Sequence, residues 1–243
     1  MKEKSILELE IEEDENNLAD LKKEHEQQNS QRPLLPVLTS LSKKYYENCQ
    51  FQKADETLKE ARAIIFKEHL LESKEYVPIL NLTSLNDIEL PKNYISISGF
   101  LHCFKILGPE NQDNAAEIAE VHLSLGKTQI MLDEGIEAHK HFEKAIQIIT
   151  EYYGEDHELV IKAKILKSSN KDIEFEKDLE TALGYLNQLK ELKGEEHSDL
   201  IQVYSLIGNL YGSMRNAEKV QEFCEIALKI SQKHYGKNHL WTV

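Results

Sequence analysis

Proline and glycine are scarce in this chain, five and ten residues among 243. That shortage argues against a turn-rich β protein and suits long helices joined by short connections. Cysteine is scarcer still. Cys49, Cys103 and Cys224 are odd in number and lack a C-x-x-C spacing, so neither a disulfide framework nor a zinc knuckle is indicated. Positive charge is in deficit: 29 Lys and Arg against 43 Asp and Glu leave a net charge of −14. Nucleic acid and anionic lipid both need a basic face, so neither is an expected partner. Long apolar runs are missing too. None approaches the ~18 residues of a membrane helix, and Met1 leads into Lys2-Glu3-Lys4-Ser5 instead of an apolar signal segment. The chain reads as soluble and cytoplasmic, and the formal sequon Asn81-Leu82-Thr83 is expected to stay unmodified.

What is present is a repeat. Gly154-Glu-Asp-His157, Gly194-Glu-Glu-His197 and Gly236-Lys-Asn-His239 follow one another at intervals of 40 and 42 residues, each after a helix-patterned apolar run. A fixed period of this size marks stacked copies of one helical hairpin. The internal rows superimpose. Ser42 to Ala54, Gly126 to Ala138 and Gly208 to Val220 are each twelve residues apart, and Ala61, Ala145 and Ala227 each follow seven further on. Small residues at these places let two antiparallel helices approach closely.

The rows resemble the tetratricopeptide repeat, Trp-x2-Leu-Gly-x2-Tyr followed by Ala-x3-Phe-x2-Ala. Leu125-Gly126 with Ala138, Phe142 and Ala145 matches. So do Tyr204, Ile207-Gly208, Tyr211 and Ala227, with Val220 and Cys224 as substitutes, and Leu38, Leu41, Tyr45, Ala54, Leu58 and Ala61, with Ser42 in the glycine place. The pitch exceeds the usual ~34 residues, which alone would favour the HEAT or armadillo class. Leu107-Gly-Pro-Glu-Asn-Gln-Asp113, Tyr153-Gly-Glu-Asp-His157 and Tyr235-Gly-Lys-Asn-His239 resemble the Leu-Gly-x-x-His-Pro linker of kinesin light chain-like tetratricopeptide repeats over about residues 107–240. Asn111 replaces the histidine in the first copy, and the proline is absent throughout.

The resemblance implies an all-α, right-handed superhelical solenoid of about five antiparallel helix pairs. The expected division is an acidic arm over 1–32, a solenoid over 33–235 with units at about 33–71, 72–107, 108–153, 154–193 and 194–235, and a stub over 236–243. Units 72–107 and 158–193 are poor copies. Pro78, Pro91 and Gly99 interrupt the first, and the second lacks a Leu-Gly pair and bends at Lys167–Lys171. Residues 1–31 hold ten Asp and Glu against four Lys. Leu7, Ile11, Leu18 and Leu21 fit a sparse heptad broken by Lys4, Asp14, His25 and Gln28, so the arm is either a short coiled coil with a partner or a solvated helical or disordered segment.

Little here points to chemistry. The linker histidines lie a hairpin apart, too far to share a metal, so Gly154, Gly194 and Gly236 read as helix stops and the histidines as caps of the next helix. Gly126-Lys127-Thr128 has the tail of a phosphate-binding loop, but the glycine needed five residues earlier is Val121. His139 and His141 point to different helix faces, and Cys103 beside His102 reads as a core thiol. No cofactor, metal site or catalytic group is expected, and an enzyme is the least favoured class. In tetratricopeptide arrays the first helix of each hairpin lines the concave wall, and the polar residue after the Leu-Gly pair tends to face the ligand. By that resemblance Lys43, Lys127 and Asn209 are the expected partner contacts. The expected function is a non-catalytic scaffold or adaptor holding a peptide or helix of another protein, in a cytoskeletal, motor or ciliary assembly. The alternative is a permanent subunit of a large complex. At the C-terminus, Trp241 and the apolar Phe223, Ile226 and Ile230 leave three outcomes: the stub folds back, two copies dimerise, or a partner docks. Docking or dimerisation is the favoured expectation.

Overall fold

The computed structural model describes residues 4–25, 30–90, 96–168, 175–237, 239 and 242. Every regular element among them is helical, and the chain divides into two units, Met1–Pro109 and Glu110–Val243. The first holds α1 (Ile6–His25), a 3-10 turn (Arg32–Leu34), α2 (Leu35–Glu47), α3 (Phe51–Lys67), α4 (Tyr76–Glu89) and α5 (Ser96–Leu107). The second holds α6 (Ala115–Met131), α7 (Gly135–Tyr153), α8 (Glu158–Ser168), α9 (Phe175–Lys193), α10 (Leu200–Ser213) and α11 (Ala217–Tyr235). From α2 onward the helices pack as consecutive antiparallel pairs, the expected all-α arrangement. Within each unit the pairs also touch their neighbours: α4 packs on α2 and α3, α8 on α6 and α7, and α10 on α8 and α9.

Each pair closes where the sequence places small residues. Ala138, Phe142 and Ala145 are buried on α7, and a Cβ added to Gly126 would sit 2.5 Å from the Phe142 ring. Only a residue without a side chain lets the ring lie against the α6 backbone. At Gly208 the same test meets Cys224 Sγ at 3.4 Å, an easier fit. Ser42 fills the glycine place in the first pair, and its buried hydroxyl donates to Leu38 O at 2.6 Å, so no donor is stranded. Gly99, expected to interrupt a helix, lies inside α5 as a close-packing position, since a Cβ there would meet Ser84 Oγ of α4 at 1.9 Å. The second pair thus carries its glycine on the opposite helix. Pro78 also breaks nothing; it lies in the first turn of α4, where a missing N–H is harmless. Pro91 and most of the 167–171 bend fall outside the described residues.

The turns inside the three clear pairs share one geometry. Cys49, Asp133 and Arg215 have φ of 55°, 62° and 58°. The next N–H donates back to the carbonyl five residues earlier: Gln50 to Tyr45 at 2.8 Å, Glu134 to Gln129 at 2.7 Å, Asn216 to Tyr211 at 3.0 Å. This is the Schellman closure built without glycine. The linkers after α7, α9 and α11 use glycine instead, whereas the α3–α4 linker closes like the turns, with His69 at φ 58° and Leu70 N donating to Ile65 O at 2.9 Å. Gly154 and Gly236 sit at φ 90°, ψ 170° and φ 89°, ψ 163°, an extended positive-φ region open essentially to glycine alone. The left-handed stop expected there is therefore a stricter one.

The arm is a helix whose seam faces its own chain. Leu7, Ile11 and Leu18 are buried, Asp14, Leu21 and His25 are half-buried, and α1 packs on α2. Asp14, read as a break in the heptad, accepts from Ser40 Oγ at 2.7 Å and pairs with Lys44 at 2.9 Å. Tyr45 donates to Glu15, and Lys22 pairs with Glu60 of α3 at 2.6 Å. The acidic arm is thus matched to hydroxyls and lysines of the first pair. At the other end, Thr242 and Ser231 of α11 bring their hydroxyls to 3.0 Å, and His239 stacks on Tyr235 with ring centroids 4.8 Å apart. Both contacts tie these two residues to the end of α11. Trp241 itself lies outside the described residues.

The close approach predicts opposite effects for two glycine-to-alanine changes. Gly126→Ala should cost about 1–3 kcal/mol, because the Phe142 ring must move. Gly184→Ala, inside α9 with nothing within 4 Å, should gain up to about 1 kcal/mol from helix propensity. Arg215→Gly should raise stability by up to about 1 kcal/mol by relieving a left-handed residue with a Cβ. Urea denaturation of the three variants checks both signs.

Candidate functional site

The second unit presents the faces of three first helices side by side, since α8 contacts both α6 and α10. On α6, Glu117, Glu120 and Met131 are exposed and Lys127 is half-buried, all at helical spacing along one stripe. On α10, Ser205, Asn209 and Gly212 are exposed and Gln202 is half-buried along the equivalent stripe. Lys127 and Asn209 therefore hold the same register on two first helices, with α8 between them. Lys43 is exposed on α2 in the first unit, beside the Lys44 that pairs with Asp14. Trp241, the fourth expected contact, cannot be placed among the described residues.

The sequence reading overlooked a second register. Gln202 lies six residues before Gly208, and Glu120 six before Gly126. Lys162 lies five after His157, as Gln202 does after His197. Glu120, Lys162 and Gln202 thus fall at one place on three consecutive first helices, one acidic, one basic and one neutral. The signal was available in the linker offset. It was missed because unit 154–193 has no Leu-Gly pair to anchor it.

The linkers fix where these helices begin. His157 Nδ1 accepts from Leu159 N at 3.2 Å, and His197 Nδ1 accepts from Asp199 N at 3.2 Å, each satisfying an amide at the start of the following helix. Asn111 does the same with its side-chain oxygen, accepting from Asp113 N at 2.9 Å, so the substitution keeps the hydrogen bond. The second helix of a pair then reaches back to its own entry linker. Tyr153 OH donates to Gln112 O at 3.0 Å, and His234 Nε2 lies 2.8 Å from Glu196 O. His157 and His197 are caps, as expected, and each serves its own helix, whereas His239 stacks on Tyr235 and the amide two residues beyond it lies outside the described residues.

One histidine pair was not anticipated. His122 of α6 and His141 of α7 bring their Nδ1 atoms to 2.8 Å with ring centroids 5.1 Å apart. The centroid distance exceeds the nitrogen distance by about two ring radii, so the rings meet head-on and share one proton between the nitrogens. A bound metal would need both lone pairs to converge on a point to the side. Burial chiefly, then His141 and Lys144, pushes His122 down to about 4. Burial also lowers His141, opposed by Glu137 and helped by Lys140. Sequence reasoning weighed His139 with His141 and passed over the partner nineteen residues away on the facing helix.

The remaining candidates are structural. Cys103 is fully buried, its thiol pushed up to about 12 by burial, and it donates weakly to Val77 O. Gly126-Lys127-Thr128 lies inside α6. The sequon lies inside α4, where Thr83 is buried and donates to Ile79 O at 2.8 Å. No helix among the described residues is long and apolar enough to cross a membrane.

No protein-family model matches the sequence, and no curated protein matches it. Among solved structures, the crystal structure of BtubC (BKLC) from P. vanneervenii matches with a TM-score of 0.61 at 15% identity, covering 93% of this chain and 91% of that one. BtubC is a kinesin light chain-like helical repeat protein of the tetratricopeptide type. At this identity the likeness speaks for the fold.

The histidine pair predicts acid sensitivity. Both folded-state values lie below the ordinary 6.5, so the unfolded chain binds more protons between there and about 4, and stability falls as pH falls through that window. Thermal melts from pH 7 to 4 should show a loss of stability that the double variant His122→Leu/His141→Leu reduces. An equal acid loss in both proteins would remove the pair from the account.

Proposed function

We propose that this chain is a non-catalytic scaffold that holds a peptide or helix of another protein along the first-helix faces of its hairpins. The observation that carries the reading is the continuous α6–α8–α10 face, with polar residues in register at Glu120, Lys162 and Gln202 and again at Lys127 and Asn209. A surface of this kind offers many shallow contacts along an extended segment, where an enzyme concentrates its groups in a deep, converging site. Lys43, Lys127 and Asn209 are the proposed contacts. A lysine suits a carboxylate or an acidic side chain, which it binds as a point charge, and Lys127 and Asn209 hold the same register within the second unit. Glu117 and Glu120 on the same α6 stripe suit basic residues further along the segment, so the ligand is one of mixed charge.

The kinesin light chain-like linkers, with the likeness in fold to BtubC, support a cytoplasmic setting and a cytoskeletal, motor or ciliary assembly. The reading rests on analogy of fold as to setting and on the α6–α8–α10 face as to mode of binding. The C-terminal end, with Trp241, is proposed as a further contact, for a partner or a second copy. It is supported by Leu228 of α11, which is 41% exposed.

Affinity capture from cytoplasm at rising salt gives the partner and its mode together. An exchanging ligand leaves the column as salt screens the lysines, whereas a permanent subunit keeps the same set. With the partner in hand, Lys43→Ala/Lys127→Ala/Asn209→Ala should weaken binding about tenfold or more while the thermal melt is unchanged. Unchanged affinity in a normally folded triple variant would show that these three positions do not carry the contact.

A further inference from the structure

The turn between α6 and α7 carries a surface that the fold does not require. All seven residues from Met131 to Glu137 are exposed. Three of them are large and apolar: Met131 is 50% exposed, Leu132 36% and Ile136 79%, the highest exposure of any large hydrophobic residue described. Threaded between them are Asp133 and Glu134, which form no ion pair among the described residues, and Glu137, which pairs with Lys140.

The repeat supplies its own control. Asp133, Arg215 and Cys49 occupy one place in three turns of the same Schellman geometry, so the flanking residues can be compared one for one. Where this turn has Met131, the others have Ser213 and Glu47. Where it has Leu132, they have Met214 and Asn48. Where it has Ile136, they have Glu218 and Gln52. Its acidic pair, Asp133 and Glu134, is matched by Arg215 and Asn216 and by Cys49 and Gln50. The same closure recurs between α3 and α4, where His69 has φ 58° and Leu70 N donates to Ile65 O at 2.9 Å. That copy also exposes Phe66 and Leu71, but its carboxylates are engaged, Glu68 by Gln31 N and Glu72 by Lys105. Among the four copies, only the α6–α7 turn sets three exposed large apolar residues around an adjacent pair of carboxylates that form no ion pair among the described residues. Exposed aliphatic side chains bring no benefit to a monomer, and isolated ones are tolerated; three within six residues, with an adjacent pair of carboxylates between them, call for an occupant.

The geometry points to a second docking surface at this turn, for a segment of another protein that brackets an aliphatic or aromatic anchor with lysine or arginine. The apolar residues would receive the anchor, with the unbranched Met131 adapting to its shape. Asp133 and Glu134 would pair with the flanking cations. The same carboxylates repel nucleic acid and anionic lipid. A second copy of this chain is also a poor occupant, since two chains of net charge −14 repel one another. Met131 belongs both to this surface and to the α6 stripe, so Ile136, Asp133 and Glu134 carry the distinction, and Asp133→Asn/Glu134→Gln tests this surface apart from the first-helix reading.

The test uses the full chain and four fluorescent synthetic peptides of equal length: basic with an apolar anchor, basic without one, acidic with one, and neutral with one. Two variants are compared with the parent. Met131→Ser/Ile136→Glu installs residues that the α10–α11 turn already carries, and Asp133→Asn/Glu134→Gln removes the charge. Both should melt like the parent. The basic, anchored peptide should bind the parent best, weaken as salt rises, and lose about tenfold in affinity in each variant. Three results would overturn the proposal: no peptide binding, binding of all anchored peptides regardless of charge, or equal binding by parent and variants. Sedimentation supplies a fourth, since self-association abolished by Met131→Ser/Ile136→Glu would assign the patch to a second copy.

Discussion

The α6 backbone at Gly126 lies against the Phe142 ring, and the rest of the second unit is organised around that approach. With the two helices this close, Ala138 and Ala145 can be buried on α7, and the chain turns through Asp133 in a left-handed conformation. The pair is then a compact element that meets its neighbour as a unit. Because α8 packs on both α6 and α7, and α10 on α8 and α9, first helices follow first helices, and their outward stripes become one face. The binding surface is in this sense a by-product of how tightly each hairpin closes. Linker capping by His157 and His197 sets where each first helix begins, which keeps the stripes in register.

The parts of this arrangement that were readable from the sequence are those in which one residue type answers one physical demand. A glycine is needed where a ring meets a backbone, and a glycine is needed where φ is near 90°, so Gly126, Gly154, Gly194 and Gly236 announced themselves. The parts that were not readable depend on pairings across the fold. Cys49, Asp133 and Arg215 make left-handed turns without the glycine that would have marked them. His122 and His141 share a proton across two helices. Asp14 looked like a defect in a coiled-coil seam and instead answers Ser40 and Lys44. Gly99 looked like a helix breaker because its partner Ser84 lies on a different helix.

The candidate site divides in the same way. Lys127 and Asn209 could be named from the Leu-Gly register, and they do occupy equivalent places on α6 and α10. Lys162 could not, because the hairpin it belongs to lacks that pair. Its position emerges from the spacing to His157 and from the contacts of α8 with both neighbours. The charge along the face changes from one helix to the next, acidic at Glu120, basic at Lys162 and neutral at Gln202. That pattern suits recognition of an extended segment of mixed charge better than capture of a single terminal group.

Hydrogen–deuterium exchange on the chain with and without its captured partner tests the account most directly. The account predicts that binding slows exchange in the first helices α6, α8 and α10 more than in α7, α9 and α11. Protection confined to the second helices, or spread evenly over both members of each pair, would contradict it.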